Sequence, residues 1–256
     1  MFFKDKYSRL EHQDSFEYMK KLPDQCIDII ITDPPYFLSN DGFSNSGGKR
    51  VSVNKGGWDK TDLGIEKFYD IFLNEAKRVL KDSGSIWIFG TLHSIYTVGY
   101  LLQQKEFKIL NNITWQKTNP APNLSKRMFT HSTETILWAR KSLLKGEQIY
   151  NYSLMKDIAG GKQMKDVWKT ATISSSEKKY GKHPTQKPLA VMKRIIMATT
   201  DKTSLILDPF VGSGTTCVAG KLLKRRTIGV DESLEYLNIA KKRLLNANNE
   251  YEGKII

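Results

Sequence analysis

The sequence predicts an α/β protein built on an open, doubly wound and mostly parallel sheet. Short β-branched runs without a helical period, such as Ile27–Thr32, are typical of strands buried on both faces. Amphipathic helical segments alternate with these runs along the chain, as they do in successive βαβ units. Polar turns follow two of the runs directly, at Asp33 and at Asp208. Open α/β sheets bind their ligands at such strand ends, so we expect the function to lie there.

The overall composition favours one domain and a polyanionic partner. With 256 residues, of which 39% are hydrophobic, the chain suits a single α/β domain over 1–256. The formal charge of +13 supports phosphate contacts with nucleic acid, without proving them. Cys26 and Cys217 lack the spacing of metal ligands, so we expect no zinc site and no disulfide framework. No apolar stretch is long enough for a signal peptide or a membrane span, which predicts a soluble, cytoplasmic protein.

The N-terminal elements lead up to the first polar turn. A short strand over 8–13 precedes Asp14, which caps a small helix that ends at Pro23. After the strand Ile27–Thr32 comes a polar, glycine-rich stretch over 37–60. Long loops inside compact domains are usually functional or disordered. We interpret 37–60 as a mobile loop that covers the ligand, with a functionless solvated loop as the alternative.

The later elements continue the alternation. In order, we predict a helix over 65–81, a strand over 85–90, a helix over 91–104, strands over 109–115 and 133–139, a helix over 189–199, strands over 204–207 and 226–230, and a helix over 234–245. The pattern weakens over 141–182, where basic residues alternate with aromatic ones. This mixture is typical of nucleic-acid grooves, although a solvated surface can show it too.

The first polar turn is Asp33-Pro34-Pro35-Tyr36. Two prolines fix φ and remove two N–H donors, so the Pro34 carbonyl can point outward beside the Asp33 carboxylate. Two such acceptors suit an NH₂ group, and the Tyr36 ring suits a stacked planar heterocycle. A simple strand-ending turn is the alternative interpretation.

The second polar turn, over 208–216, predicts a cofactor site. Gly212 and Gly214 have no Cβ atoms, so backbone N–H groups and the next helix can approach a carboxylate-bearing ligand. Asp231, at the end of the following strand, suits a ribose diol. Three hydroxyls of the turn can add hydrogen bonds, those of Ser213, Thr215 and Thr216. By itself this half also allows a dehydrogenase, although the third glycine of the G-x-G-x-x-G pattern is missing.

Together the two turns resemble those of the DNA amino-methyltransferases. Residues 33–36 are similar to motif IV of that family, and 208–216 are similar to its S-adenosylmethionine motif. The catalytic motif comes first and the cofactor motif last, which is the order of the β group. The resemblance implies a seven-stranded, Rossmann-like fold, S-adenosylmethionine as cofactor, and methyl transfer to the amino group of a flipped base without a metal.

The resemblance also implies roles for individual residues. The catalytic residues are Asp33, Pro34, Pro35 and Tyr36. Asp14 lies near the cofactor's adenine, besides capping its helix, and Lys187 in the segment 183–188 can pair with a carboxylate at the methionine end. The cofactor-binding residues are Asp14, Ser15, Asp33, Thr185, Lys187, Asp208, Phe210, Gly212, Ser213, Gly214, Thr215, Thr216 and Asp231.

The DNA-binding regions follow from the same resemblance. We expect 141–182 to be a small target-recognition insertion and 116–127 to lie near the catalytic pocket. Taken alone, the residues slightly favour turn roles for Asn119 and Asn123. The expected DNA-binding residues are Lys49, Arg50, Asn119, Asn123, Lys126, Arg127, Lys162 and Lys165.

The choice of base also rests on resemblance. Asp at position 33 favours adenine N6, and 33–58 and 111–140 resemble the adenine methyltransferases of DpnII-type restriction–modification systems, which modify GATC. Cytosine-N4 methylation, methylation of RNA or of a protein amide, and a non-catalytic DNA-binding protein of the same fold remain alternatives. The partner is double-stranded DNA, with single-stranded DNA and a homodimer left open.

Overall fold

The computed structural model describes residues 1–35, 43–46, 49–52, 64–144, 146–181 and 183–251. The strands are β1 (Phe3–Lys4), β2 (Ser8–His12), β3 (Ile27–Thr32), β4 (Phe43–Ser46), β5 (Lys49–Ser52), β6 (Leu80–Gly90), β7 (Lys108–Lys117), β8 (Thr133–Arg140), β9 (Val167–Thr170), β10 (Leu205–Asp208) and β11 (Arg226–Asp231). The helices are α1 (Ser15–Lys21), α2 (Ile65–Val79), α3 (Ile95–Gln104), α4 (Tyr152–Ile158), α5 (Leu189–Thr199), α6 (Thr215–Leu222) and α7 (Leu234–Tyr251).

One mixed sheet carries the fold. In the described residues it has nine strands, in the order β1-β2-β11-β10-β3-β6-β8-β7-β9. The five adjacent strands β2, β11, β10, β3 and β6 are mutually parallel, β8 runs antiparallel between β6 and β7, and β9 is parallel to β7. This confirms the doubly wound, mostly parallel prediction. The strand number differs from the seven expected, because the short edge strands β1 and β9 show no sequence period of their own.

The central strands bury both faces, as their β-branched composition predicts. Along β3, Ile29 and Ile31 pack on one face with α5, α6 and α7, whereas Ile27 and Ile30 pack on the other with α1, α2 and α3. Phe89 and Ile88 in β6 divide in the same way. Because neither face of these strands is polar, polar side chains are concentrated in the residues that follow the strand ends. The residues that can bind a ligand therefore lie along the carboxyl edge of the sheet.

Several element boundaries differ from the predicted ones. Helix α2 ends at Val79 and not at 81, because Leu80 already pairs with Ile27 at the start of β6. Helix α3 begins at Ile95 and not at 91, since 91–94 form a turn closed by hydrogen bonds to the Thr91 carbonyl. Helix α7 continues past 245 to Tyr251. The sequence pattern also missed α4 and β9, which lie within 141–182.

Part of the predicted loop over 37–60 is a hairpin. Strands β4 and β5 pair antiparallel, with Phe43 opposite Ser52. The predicted stacking residue Tyr36 lies outside the described residues, as do 37–42, 47–48 and 53–63. The predicted mobility of this loop therefore remains a prediction. None of the described helices combines the length and the apolar character that crossing a bilayer requires.

The sheet brings the two polar turns together. Strand β3 lies directly beside β10, with Ile29 opposite Ile206 and Ile30 opposite Leu207. Because the strands are parallel, the residues that follow β3 and β10 meet at the same edge of the sheet. Residues from opposite ends of the chain thus become neighbours there.

Candidate active site

Asp33 and the glycine-rich turn line one pocket at the carboxyl edge of the sheet. The segment 183–187 and Met192 of α5 complete its wall. The residues on the turn side are Asp208, Phe210, Val211, Gly212, Ser213, Thr215 and Thr216. Pro34 and Pro35 are buried behind Asp33, and the Tyr69 hydroxyl of α2 donates to the Pro35 carbonyl at 3.5 Å. The corner after β3 is therefore anchored from behind and presents the carboxylate of Asp33 to the pocket.

Asp33 forms an ion pair with Lys187. The Lys187 ammonium, which is 5% exposed, lies 2.5 Å from Asp33 Oδ2 and also donates to the Thr185 carbonyl at 3.2 Å. Burial lowers the pKa of Lys187, but the Asp33 and Glu134 carboxylates outweigh burial and hold this pKa above its usual range. The lysine therefore remains charged. In this structure its partner is Asp33, whereas the resemblance implied pairing at the methionine end of the cofactor.

A second carboxylate stands close to the same lysine. Glu134 Oε2 lies 3.6 Å from Lys187 Nζ, and Glu134 Oε1 lies 2.7 Å from Lys117 Nζ. Burial raises the pKa of Glu134, but Lys187 and Lys117 lower it below its usual range overall. Lys187 and Glu134 are thus charged, and together with Asp33 and Lys117 they form a row that runs from Asp33 to Lys117. The sequence interpretation missed both residues, although Glu134 is the second residue of the predicted strand over 133–139 and Lys117 lies two residues after the predicted strand over 109–115.

The glycine-rich turn needs its glycines for two reasons. Gly212 and Gly214 adopt positive φ values of 49° and 81°, which residues with side chains rarely adopt. A Cβ at Gly212 would lie 2.9 Å from His183 Nε2, and one at Gly214 would lie 2.7 Å from Ala240 Cβ. Gly214 is also the N-cap of α6. The turn can therefore pack against both 183–187 and α7 only when it carries no side chain at these positions.

Polar contacts hold the turn from two sides. The Ser213 hydroxyl donates to Gln186 Oε1 at 3.0 Å and so ties the turn to 183–187. From α7, the fully buried Arg243 donates to the Ser213 carbonyl at 2.7 Å and to Thr215 Oγ1 at 3.0 Å. Arg243 and Gln186 were not predicted, because their partners are 27 or more residues away in sequence. In this structure Ser213 and Thr215 thus already have protein partners.

Two aspartates influence the electrostatics here, Asp208 in the lining of the pocket and Asp231 beside the glycine-rich turn. Burial raises the pKa of Asp208 to about 7; hydrogen bonds from Thr216 and the Phe210 amide oppose this, and the Asp33 and Asp231 carboxylates add to it. Asp231 accepts hydrogen bonds from the Gly212 and Ser233 amides, each at 2.8 Å, and burial raises its pKa. The pocket therefore contains acidic groups that a bound cation would stabilise.

The first helix contributes the next part of the rim. Asp14 caps α1, since its carboxylate accepts from the Glu17 amide at 2.7 Å, so the capping role is observed. The Ser15 hydroxyl donates to the Pro209 carbonyl and so joins α1 to the glycine-rich turn. Phe210 packs its ring among Phe16, Phe68 and Phe72. These contacts place Asp14, Ser15 and Phe210 beside the turn, where the resemblance implied cofactor binding.

A larger cleft adjoins the pocket and shares the wall 183–187. Its volume is about 570 Å³, which is within the range of small-molecule sites. The rest of its lining comes from the ends of β6, β7 and β8 and from the chain after β9, namely Thr91, Trp115, Lys117, Glu134, Thr172, Ile173 and Lys178. The row of charges from Asp33 to Lys117 runs from the smaller pocket into this cleft. The arrangement suits two ligands that meet at Asp33 and Lys187.

The predicted DNA-binding residues fall in different places. Asn123 Oδ1 accepts from the Ser125 amide at 2.9 Å, so Asn123 has a turn role. Asn119 Oδ1 accepts from the Thr172 amide, also at 2.9 Å, and so links its loop to the chain after β9. Lys126 and Arg127 are exposed on the loop over 118–132, which we name the cleft loop because its two ends adjoin Lys117 and Glu134.

The remaining predicted basic residues lie away from the cleft or have side chains outside the described part of the chain. Lys162 and Lys165 are exposed and precede β9, at the end of that strand away from the cleft. The backbone of Lys49 and Arg50 belongs to β5, but their side chains are not among those described. Contact between these four residues and DNA remains a prediction.

Comparison with known proteins identifies relatives of this chain. The chain is 58% identical over 243 residues to type II methyltransferase M2.DpnII of Streptococcus pneumoniae, covering 94% of this chain and 90% of that protein. It is 59% identical to type II methyltransferase M2.LlaDCHI of Lactococcus lactis subsp. cremoris, covering 92% and 88%. The crystal structure of the M1.HpyAVI–SAM complex matches with a TM-score of 0.67 at 29% identity, covering 93% of this chain and 98% of that one.

A family model described as DNA methylase matches residues 27–242. This span contains the Asp33 corner, the row of charges, the segment 183–187 and the glycine-rich turn. It leaves out only the first strands with α1 and the end of α7. Given this match and the identity to whole methyltransferases, the chain belongs to the DNA methylase family.

Proposed function

We propose that this chain is a site-specific methyltransferase of a restriction–modification system, which transfers a methyl group from S-adenosylmethionine to adenine N6 in GATC. One observation carries the proposal. Asp33 and the glycine-rich turn lie at neighbouring strand ends and share a pocket that adjoins a cleft of about 570 Å³. A donor and an acceptor held in these two cavities would meet at the Asp33 carboxylate. Such positioning supplies much of the rate acceleration of a two-substrate reaction.

The pocket fits the proposed cofactor. A buried carboxyl whose pKa is raised to about 7 among other acidic groups, as at Asp208, is stabilised by a nearby positive charge such as a sulfonium. The absence of Cβ atoms at Gly212 and Gly214 lets the turn close against 183–187 and α7, and so places the turn along the pocket directly before α6. When bound, S-adenosylmethionine supplies the activated methyl group. Asp14 and Asp231, at the ends of β2 and β11, would hold its adenosine part.

Asp33 and the Pro34 carbonyl would act on the amino group. Adenine N6 is a weak nucleophile because its lone pair is delocalised into the ring. Two acceptors that bind both N–H groups favour a more tetrahedral nitrogen and stabilise the positive charge that develops as the methyl group arrives. The base must leave the duplex to reach Asp33, at a cost of a few kcal/mol. Stacking on Tyr36 would offset part of this cost.

The DNA would lie across the carboxyl edge of the sheet. The cleft loop stands at the rim of the cleft, and Asn119 fixes it to the chain after β9. Its tip combines the exposed cations Lys126 and Arg127 with Phe129, which is 95% exposed. Cations suit phosphates, and an exposed ring suits stacking against bases. Lys162 and Lys165 would contact DNA that continues along the edge strand β9.

The test of this proposal is identification of the modified base. The purified protein is incubated with labelled S-adenosylmethionine and a duplex that contains one GATC site, and the DNA is then digested to nucleosides. We expect N6-methyladenine, and no label in a duplex whose GATC is changed to GTAC. N4-methylcytosine would overturn the choice of base, and the absence of cofactor binding by calorimetry would favour a non-catalytic DNA-binding protein.

A further inference from the structure

Lys187 lies within ion-pair distance of two carboxylates but is closer to one of them. Its ammonium lies 2.5 Å from Asp33 Oδ2 and 3.6 Å from Glu134 Oε2. Glu134 Oε2 is buried without a hydrogen-bond partner, although a buried polar atom normally has one. The other oxygen of Glu134 binds Lys117 at 2.7 Å. The buried lysine therefore occupies one position, and a second position beside Glu134 Oε2 lies about 0.8 Å away.

The pair with Lys187 opposes the role that the proposed function gives to Asp33. An ammonium at 2.5 Å occupies Oδ2 and compensates the charge of the carboxylate. Asp33 in this state is a poor acceptor for an amino group and stabilises an incoming positive charge weakly, since the attraction depends on uncompensated charge in a poorly hydrated site. A transfer-competent site therefore needs another counter-ion for the lysine.

We propose that Glu134 is this counter-ion, a positioning residue that takes the ammonium of Lys187 when the amino group of the target base arrives at Asp33. This inference rests on the proposed function of Asp33. A shift of Lys187 Nζ by about 0.8 Å would bring it within charge-assisted hydrogen-bonding distance of Glu134 Oε2. No proton moves, and the two carboxylates and two ammonium groups keep the cluster neutral. The contact between Lys187 and Asp33 Oδ2 then lengthens, so that less of the Asp33 charge is compensated when the amino group arrives.

The surroundings of Glu134 support this role. Its position at the start of β8 is fixed by pairing opposite Trp115 in β7. Lys117 lies over the Trp115 ring, 5.5 Å from its centroid, and holds the nearer oxygen of Glu134. The other oxygen therefore points towards Lys187 along a preorganised path. Lysine suits the movement because its stem is flexible.

Two substitutions that break the same ion pair distinguish this role from a structural one. Glu134→Gln removes the second counter-ion and leaves Lys187 on Asp33, so we expect the single-turnover methylation rate at saturating DNA and cofactor to fall about 10- to 100-fold. Cofactor affinity should be unchanged. Lys117→Met keeps the apolar stem over Trp115 but leaves the whole charge of Glu134 to Lys187. We expect this substitution to raise the single-turnover rate, with any cost appearing in the KM for DNA.

The outcomes separate the inference from the proposed function. If the pair Glu134–Lys117 only supports the fold, both variants lose rate alike, and this result would overturn the inference. Glu134→Asp, which keeps the charge, should recover part of the rate lost in Glu134→Gln, and this comparison still applies if the glutamine variant folds poorly. Asp33→Ala is measured in parallel. Turnover in Asp33→Ala contradicts the proposed function, whereas an inactive Asp33→Ala beside a fully active Glu134→Gln contradicts only the role of Glu134.

Discussion

Asp208 shows how a single residue at this site couples charge to folding. Its carboxyl is buried at the end of β10, and burial together with nearby carboxylates raises its pKa to about 7. The folded protein thus prefers the protonated form over a pH range in which the unfolded chain is ionised. The contribution of Asp208 to stability is fully present below the ordinary pKa of aspartate, about 4, and is lost as the pH rises through about 7.

Asp208→Asn should remove this pH dependence. The amide keeps an acceptor for the Phe210 N–H but cannot ionise. We expect the variant to gain stability relative to the wild type on going from pH 5.5 to pH 8. Urea unfolding midpoints of both proteins at the two pH values measure the effect. Parallel pH profiles would show that Asp208 does not titrate in this range.

Asp33→Ala should abolish methyl transfer and leave cofactor affinity largely intact. Loss of one preorganised group that stabilises developing charge costs about 10²- to 10³-fold, and Asp33 is proposed to provide such a group. Single-turnover kinetics measure the rate, and calorimetry measures cofactor binding. Asp82→Ala is the control, because Asp82 is an exposed carboxylate near the start of β6, at the edge of the sheet opposite to Asp33. A rate near that of the wild type would contradict the assigned role of Asp33.

The sequence predicts residues whose role depends on local geometry. Asp33 and the glycines of the turn were found because they directly follow predicted strands. Glu134, Lys117 and Arg243 were missed, because each acquires its partner only through the sheet order or the packing of α7. Distance along the chain therefore separates the predictable part of the site from the rest.

At the scale of elements, the site depends on how closely helices approach the glycine-rich turn. Helix α6 begins directly after Gly214, and α7 packs against this corner through Ala240. The sequence predicted α5 at Leu189–Thr199 correctly, because its apolar positions are continuous. It missed α4 and β9, since these short elements depend on pairing with β7 and on packing against α5.

Gly214→Ala should disrupt this corner. The new Cβ would lie 2.7 Å from Ala240 Cβ, in addition to the strain of a positive φ. We expect the free energy of unfolding to fall by about 2–4 kcal/mol and cofactor binding to weaken. Gly161→Ala is the matched control, because its φ of 83° is nearly the same and its new Cβ would meet no described atom within 4 Å. Equal losses in both variants, measured by urea unfolding, would assign the effect to φ alone.

Phe129→Ala should impair the methylation of duplex DNA. The ring is 95% exposed at the cleft rim, and stacking of one aromatic ring on a base contributes about 1–3 kcal/mol. We expect a higher KM for duplex DNA and a much smaller change with single-stranded DNA, in which no base must be unpaired. Leu144→Ala is the control, because Leu144 is 93% exposed but follows the end of β8 at the opposite edge of the sheet. An equal effect on both substrates would exclude a role in base extrusion.

At the scale of the whole molecule, the residues of the candidate site lie along one edge of the sheet. The parallel order β2-β11-β10-β3-β6 places the proposed cofactor contacts side by side, and the antiparallel β8 returns the chain so that Glu134 reaches the same edge. From the fold class, the sequence predicted that both polar turns follow strands at the ligand-binding edge of the sheet. It could not predict the position of β8, because an antiparallel strand within a parallel sheet has the same β-branched composition as its neighbours.

The net charge of +13 should act on DNA through this edge and not through the surface as a whole. Each lysine or arginine that contacts a phosphate contributes about 0.9 to the slope of log affinity against log salt concentration. Replacing both Lys126 and Arg127 by Gln should therefore lower the slope by about 1.8 in magnitude and weaken binding to all sequences alike. Fluorescence anisotropy at several salt concentrations measures the slope. The control is a double variant that removes the same charge at the opposite edge, Lys202→Gln with Lys224→Gln, both exposed in turns that precede β10 and β11. If the control flattens the slope as much as the cleft-loop variant, the DNA is bound by overall charge and not at the carboxyl edge.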